Sequence, residues 1–273
     1  MTDFPLPLVI EADQLQSLLG SPGLLVVDLC KPETYAKAHV PGAIHLDYAQ
    51  VVAVDKPVMG LLPDADTLSR LFSSIGLGPD TQVVAYDDEG GGRAARLLWT
   101  LDAVGHQRAS LLDGGLHAWA NEGHPLDATP VTPRPGEYTA KLVDNPVARR
   151  DHILAHLDDR DTVLLDCRSP EEYRGEKKFA ARPGRIPGAV NLDWFNLMDK
   201  TNNLRLRPEA ELRALLSERG VTPDRSVIVY CQTHHRSALS YWVLKHLGYA
   251  NVKGYPGSWS DWGNREDTPV ETG

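Results

Sequence analysis

The sequence has few cysteines, no excess of basic residues and no long apolar run, and each absence excludes a class of protein. Three cysteines in 273 residues are too few for a disulfide scaffold and fit a reducing cytoplasm. The net charge of −9 argues against a general nucleic-acid or membrane-surface binder, since both need a basic face. No stretch approaches the roughly 18 apolar residues of a membrane span. The amino terminus also lacks the pattern of a secretory signal. We therefore expect a cytoplasmic protein that binds neither nucleic acid nor membrane.

What the chain does contain is an internal repeat. The clearest pair of segments is His39-Val-Pro-Gly-Ala-Ile-His-Leu-Asp47 and Arg185-Ile-Pro-Gly-Ala-Val-Asn-Leu-Asp193. Other matched positions also lie about 140 residues apart, which indicates a tandem duplication. The duplication predicts a first domain at residues 1–126, a proline-rich linker at 127–146 and a second domain at 147–273.

Each half alternates short apolar strands with helices. Strands are predicted at residues 24–28, 82–86, 110–112, 163–166, 226–230 and 252–254, and helices at 64–75, 93–104, 208–219 and 237–247. This alternation predicts an α/β fold in which each domain has a mainly parallel sheet with helices on both faces. Ligand sites in such sheets lie beyond the carboxyl ends of the strands.

A six-residue loop follows one predicted strand in the second half. It runs Cys231-Gln-Thr-His-His-Arg236 and precedes a helical segment. Exposed N–H groups and the helix dipole at such a turn favour negative charge, so the thiol is predicted to ionise readily. The loop residues expected to bind an anion are Gln232, Thr233, His234, His235 and Arg236. The pattern predicts a nucleophilic thiolate in an anion-binding loop.

In these features the chain resembles the tandem-domain rhodanese family of sulfurtransferases. The residues that carry the resemblance are Tyr35, His39-Val-Pro-Gly-Ala43 and Leu46 in the first half, and Val252, Tyr255, Gly257, Ser258, Trp259 and Trp262 in the second. Asp261 stands where the family usually has glutamate. The resemblance implies two rhodanese-like domains and no cofactor. It also implies transfer of sulfane sulfur from a small anionic donor, through a cysteine persulfide, to a thiophilic acceptor such as cyanide.

The family's catalytic cysteine corresponds to Cys231. Asp87 occupies the matching place in the first half, so the resemblance implies a non-catalytic first domain. Gln232 and Thr233 follow neither of the commonest loop patterns, but the loop resembles that of bacterial thiosulfate:cyanide sulfurtransferases. Thiosulfate is therefore the expected donor. Mercaptopyruvate, or delivery of the sulfur to a partner protein's thiol, remains open.

Loop length separates this chemistry from that of cysteine phosphatases, some of which share the fold. Those enzymes place five residues between cysteine and arginine, whereas four lie between Cys231 and Arg236. A shorter loop makes a narrower ring of N–H groups, which suits a single sulfur atom better than a phosphate ester. The sequence therefore favours sulfur transfer.

The second half carries eight extra residues, within residues 174–184. This insertion contains Arg174, Lys177, Lys178 and Arg182. A basic segment near the nucleophile would steer an anionic donor, although it is equally typical of a solvated loop. We expect Arg174 and, just past a strand end, Arg168 to contact the donor.

The other cysteines and histidines have simpler interpretations. Cys231 with two histidines on one tight turn makes poor tetrahedral geometry, so no metal is expected. Cys30 and Cys167 are typical of buried core residues, with a redox or sulfur-relay role as the open alternative.

Overall fold

The computed structural model describes residues 5–273, and its contacts divide the chain into two compact units. The first contains the chain up to Val51, Pro63–Val143 and Met198–Leu206; the second contains Val52–Leu62, Asp144–Leu197 and Arg207–Gly273. Each unit is an α/β domain built on a parallel sheet, so the predicted fold class is confirmed. No helix within residues 5–273 combines the length and apolarity needed to cross a membrane.

The first half of the chain alternates strands and helices as predicted. In order it forms β1 (Val9–Ile10), α1 (Ala12–Leu18), β2 (Leu24–Asp28), α2 (Pro32–Lys37), β3 (Ile44–His45), β4 (Ala53–Asp55), β5 (Val58–Leu61), α3 (Ala65–Ser74), β6 (Gln82–Tyr86), α4 (Gly92–Ala103), β7 (Ala109–Leu112) and α5 (Gly115–Asn121). The main sheet has the order β1-β7-β6-β2-β3 and is parallel.

Burial explains why these segments take these forms. Every residue of β6 is buried, as expected for a strand covered on both faces of a parallel sheet. Helix α3 instead buries one face, through Leu68, Leu71 and Phe72. Its first turn is capped by Asp64, whose carboxylate accepts the N–H of Thr67 at 2.7 Å.

The second half repeats the pattern with a smaller sheet. In order it forms α6 (Arg150–Ala155), β8 (Thr162–Asp166), α7 (Pro170–Arg174), β9 (Val190–Asn191), β10 (Met198–Asp199), β11 (Arg205–Leu206), α8 (Glu209–Ser217), β12 (Ser226–Tyr230), α9 (Arg236–His246), β13 (Val252–Gly254) and α10 (Ser258–Trp262). The sheet order is β13-β12-β8-β9, again parallel. Strand β12 is therefore central, and its carboxyl end leads into the cysteine loop.

Two antiparallel hairpins each belong to the unit that is formed mainly by the other half of the chain. The β4–β5 hairpin lies within Val52–Leu62 and belongs to the second unit, whereas β10–β11 lies within Met198–Leu206 and belongs to the first. In the first unit, the N–H of Leu206 donates to the carboxylate of Asp113 at 2.8 Å. The division at 1–126, 127–146 and 147–273 follows chain order and stays a prediction, because contacts assign each hairpin to the other half's unit.

Candidate active site

Cys231 lies where the central strand of the second sheet ends. Strand β12 pairs with β8 on one side and with β13 on the other. Residues 231–235 form the turn from β12 into α9, whose first helical residue is Arg236. The predicted strand–loop–helix arrangement is present, and the cysteine lies at the sheet edge where α/β proteins bind ligands.

The hydroxyl group of Ser258 binds the loop at two points. Its Oγ accepts the N–H of Cys231 at 3.2 Å and the N–H of His234 at 3.1 Å, and donates to the carbonyl of Tyr255 at 2.7 Å. His234 and Ser258 have positive φ values of 53° and 49°, a region that is costly for residues other than glycine. The hydroxyl therefore fixes a strained backbone. Ser258 was part of the family motif in the sequence, but its contact with the loop was not foreseen.

Replacing Ser258 by alanine should destabilise the protein and impair the loop. Two buried N–H groups would lose their acceptor, at a cost of about 1–3 kcal/mol. The midpoint of urea unfolding and the turnover rate should both fall. Ser217→Ala removes an exposed hydroxyl from α8 and serves as the matched control. Equal unfolding midpoints for the two variants would contradict this role of Ser258.

The backbone of the loop is oriented by the first turn of α10. The N–H of Trp259 donates to the carbonyl of Cys231 at 3.0 Å, and the N–H of Ser260 donates to the carbonyl of Gln232 at 2.9 Å. The N–H groups of Thr233 and Ser237 instead contact the thiol of Cys231. The loop carbonyls thus accept from α10, while the N–H groups of Thr233 and Ser237 lie against the sulfur, an arrangement that favours negative charge there.

The environment of the Cys231 thiol favours its ionised form. The residue is 0% exposed, and this burial by itself raises the pKa of the thiol. The charge of Arg236, the Ser237 hydroxyl and the N–H groups of Ser237 and Thr233 outweigh burial, so the pKa of Cys231 is lowered from its ordinary value. A thiolate in this place is a nucleophile with several hydrogen-bond donors around it.

Arg236 is held beside the sulfur by a carboxylate that the sequence analysis missed. Its Nη1 and Nη2 donate to the two oxygens of Glu172 at 2.6 and 2.9 Å. Glu172 lies in α7, where it also takes part in a capping box with Ser169. Burial raises the pKa of Glu172, but the hydrogen bonds and the charge of Arg236 outweigh burial, so the pKa of Glu172 is lowered overall. One signal was available: in the repeat, Glu172 matches Thr34 of the half that lacks the cysteine.

The two loop histidines have different surroundings. His234 is completely buried, and its Nδ1 hydrogen-bonds the Ser237 hydroxyl at 2.8 Å, the same hydroxyl that contacts Cys231. His235 is half-buried, and its ring lies 5.7 Å from that of Trp194. His234 therefore faces the interior of the loop, and His235 reaches the surface.

Gln232 and Thr233 connect the loop to two other segments of the second unit. The Nε2 of Gln232 donates to the carbonyl of Phe179 at 3.1 Å, so the 174–184 insertion does reach the loop. The carbonyl oxygen of Thr233 packs against Gly60 of β5, where an added Cβ would lie only 2.2 Å from it. The β4–β5 hairpin thus touches the loop, a contact that the sequence analysis did not foresee.

Comparison with known proteins identifies the family to which this architecture belongs. The model of the rhodanese-like domain matches the chain twice, at residues 11–122 and 150–265. The chain belongs to the rhodanese family. It is 47% identical to a thiosulfate sulfurtransferase of Azotobacter vinelandii, across 99% of this chain and 100% of the relative. It is 33% identical to the sulfur carrier protein TtuD of Thermus thermophilus, across 97% and 96%. The solved structure of the 3-mercaptopyruvate sulfotransferase SseA from Escherichia coli superposes with a TM-score of 0.83 at 26% identity, covering 93% and 99%.

Arg168 of this rhodanese is not placed as expected. It is 1% exposed, its Nε and Nη2 donate to Asp166, and Nη2 also donates to the carbonyl of Gly184 at 2.7 Å. The guanidinium lies 4.5 Å from the ring of Trp259. Because Arg168 is enclosed in the domain interior, the expectation that it contacts the donor is wrong. Arg168 instead links Asp166, at the end of β8, to the backbone of Gly184.

Three of the four basic residues of the insertion also have protein partners. Arg174 is exposed and donates to Glu176 at 2.7 and 2.9 Å. Lys177 lies 3.8 Å from Glu171, and Arg182 donates to the carbonyls of Trp262 and Thr268. Arg174 thus forms an ion pair within the insertion, and its contact with the donor stays a prediction.

In the first unit of this rhodanese, the matching loop is filled by its own carboxylate. One oxygen of Asp87 accepts the N–H groups of Glu89 and Gly91 at 2.9 and 2.8 Å; the other accepts those of Arg93 and Ala94 at 2.9 and 3.0 Å. The amides that would surround a bound anion are thus occupied by a buried side chain. Because this loop already holds its own carboxylate, we keep the non-catalytic first domain as a prediction.

Proposed function

We propose that this protein is a thiosulfate sulfurtransferase that works through a persulfide on Cys231. The thiolate attacks the outer sulfur of thiosulfate, the S–S bond of the donor breaks, and sulfite leaves with the electron pair. The persulfide then gives its outer sulfur to cyanide or to a thiol, which restores the thiolate. The observation that carries the proposal is the place of the buried Cys231 sulfur at the start of α9, beside Arg236 and against the N–H groups of Thr233 and Ser237.

The loop stabilises the charge that develops on sulfur. The N–H groups of Thr233 and Ser237 point at the sulfur and add no nucleophile that could discharge the persulfide. Arg236 supplies positive charge, and its ion pair with Glu172 keeps the guanidinium in one orientation. His234 acts indirectly, by holding the Ser237 hydroxyl against the sulfur.

The surface residues of the loop meet the donor. His235 is half-exposed beside Trp194 and offers a ring N–H group to an arriving dianion. Gln232 and Thr233 are also half-exposed and border the entrance. We assign these three residues to donor binding, in place of the enclosed Arg168.

Thiosulfate is preferred over mercaptopyruvate because two relatives named for it match nearly the whole chain at 45–47% identity. Besides the Azotobacter protein, a thiosulfate sulfurtransferase of Pseudomonas aeruginosa is 45% identical over 97% of both chains. Rates of cyanide-dependent product formation with each donor, at matched concentrations, test this choice. Thiosulfate should be the faster donor, and Cys231→Ser should be inactive with both. A faster reaction with mercaptopyruvate would reverse the assignment.

Delivery of sulfur to a partner protein is the second candidate function. It is favoured by the relative TtuD, named a sulfur carrier, and by Phe179, which is 63% exposed next to Gln232. An exposed apolar side chain on a segment that contacts the loop would suit a protein surface better than cyanide. Slow transfer to cyanide together with fast transfer to a protein thiol would support this function. We place either activity in the reducing cytoplasm, since the nucleophile must remain a free thiol.

A further inference from the structure

Cys231 has a second cysteine as its neighbour across the sheet. Strands β8 and β12 pair in register up to Asp166 and Tyr230, and Cys167 and Cys231 are the next residues. The ladder continues beyond the strands, because the N–H of Cys167 donates to the carbonyl of Tyr230 at 2.8 Å. Neighbouring strands lie about 4.8 Å apart, within the roughly 4.4–6.8 Å between Cα atoms that a disulfide spans.

Both thiols face the same helix. Successive residues of a strand point to opposite faces of the sheet, so two residues at matching positions share one face. The contacts agree with this rule: the Cys231 thiol meets Ser237 and the Cys167 thiol meets Ser240. Ser237 and Ser240 are three residues apart on α9 and lie on one face of it. The Cys167 thiol also donates to the carbonyl of Leu165 at 3.6 Å. Both sulfur atoms therefore lie on one face of the sheet, beneath the first turns of α9.

The duplication shows that packing does not require a cysteine at position 167. The matching residue of the first unit is Leu29, which is completely buried and donates its N–H to Tyr86 at 2.8 Å, as Cys167 does to Tyr230. That unit has Asp87 in place of the nucleophile. A thiol occupies this position only in the half that has Cys231. Cys30 lies one residue further along, so it is not the counterpart.

The two thiols differ in reactivity. The pKa of Cys167 is raised well above its ordinary value, chiefly by burial, whereas that of Cys231 is lowered. At neutral pH Cys167 is therefore a protonated, weak nucleophile. It will not readily attack a Cys231 persulfide, whose terminal sulfur carries negative charge. A neutral sulfenic acid on Cys231 has no such charge and reacts with thiols.

We propose that Cys167 is a resolving cysteine that closes a disulfide with Cys231 when Cys231 is oxidised by a peroxide. The Cys231 thiolate first attacks the peroxide: its O–O bond breaks, one oxygen is kept as a sulfenic acid and the other leaves as water or an alcohol. The sulfur of Cys167 then attacks the sulfur of Cys231. The S–S bond forms, the S–O bond breaks, and hydroxide leaves with the proton of the Cys167 thiol as water. An external dithiol reopens the bond with two electrons and two protons.

The disulfide protects the catalytic sulfur from irreversible oxidation to sulfinic and sulfonic acids. Proximity offsets the weak nucleophilicity of Cys167, since the two groups are held together by the fold. The inference rests on the proposed function in one respect: Cys231 must be the reactive thiolate.

The test is treatment of the sulfur-free protein with hydrogen peroxide, followed by intact-protein mass spectrometry and by activity after dithiothreitol. After peroxide treatment, the mass of wild type should fall by that of two hydrogen atoms. After dithiothreitol, its activity should return. Cys167→Ala should start with normal activity, gain two or three oxygens and stay inactive after reduction. Cys30→Ala, which removes the buried thiol of the other unit, should behave as wild type.

Peptide mapping of oxidised wild type without reduction gives a readout that depends on no variant. A linked peptide pair containing Cys167 and Cys231 supports the proposal. Sulfinic acid on Cys231 of wild type, at the rate seen in Cys167→Ala, overturns the role of Cys167 alone. A Cys231 that peroxide does not modify at all overturns both this proposal and the thiolate on which the proposed function depends.

Discussion

Replacing Arg236 by alanine should reduce turnover by roughly 10²–10³-fold, the range seen when one preorganised electrostatic donor is lost. The guanidinium lowers the pKa of the Cys231 thiol, so its removal raises that pKa. Activity requires the thiolate and is lost as pH falls through the pKa of the thiol. The acidic limb of kcat/KM against pH should therefore move to higher pH in the variant.

Two further variants separate charge from packing at Arg236. Glu172→Gln weakens the double hydrogen bond that orients the guanidinium and should shift the same limb in the same direction, by less. Arg213→Ala removes an exposed arginine paired with Glu209 on α8 and is the matched control, with an unchanged profile. An Arg236→Ala profile that falls in height without moving along the pH axis would show that Arg236 does not tune the thiol.

Gly60→Ala should disrupt the catalytic loop from outside it. Gly60 has φ 73°, and a Cβ there would lie 2.2 Å from the carbonyl oxygen of Thr233. Either the hairpin or the loop must move. Because a misplacement of about 1 Å costs up to roughly 100-fold in rate, we expect a loss of that order in turnover.

Gly188 provides a closely matched control for this substitution. It lies in the same unit, has the same φ of 73° and has no atom within 4 Å of an added Cβ. Both alanine variants carry the left-handed backbone cost of about 1–2 kcal/mol, so their unfolding free energies contain the same strain. Only Gly60→Ala should lose turnover. Similar activities in the two variants would show that the hairpin does not support the loop.

Features encoded by local pattern were predicted well from the sequence. Strands β6 and β12 have the predicted bounds, because uninterrupted apolar runs between turn residues define buried strands. Helix α9 starts one residue before the predicted position, at Arg236. The place of Cys231 at the strand end followed directly from these elements, and the resemblance to the rhodanese family is confirmed by the family match in both halves.

Features that depend on distant partners were not predictable in the same way. Glu172 is 64 residues from Arg236, and nothing local marks it as the partner of that guanidinium. Arg168 appeared to be available for an anion because a sequence does not reveal that Asp166 and Gly184 enclose it. The contact of Gly60 with Thr233 joins segments from opposite halves of the repeat. Each of these depends on tertiary packing rather than on periodicity.

The central claim is that Cys231 accepts and carries one sulfur atom. Intact-protein mass spectrometry after brief treatment with thiosulfate tests it most directly, with wild type compared with Cys231→Ser and the adduct located by peptide mapping. Wild type should gain the mass of one sulfur on Cys231 and lose it on addition of cyanide, while the serine variant gains none. An unmodified wild type, or a sulfur found on Cys30 or Cys167 instead, would contradict the account.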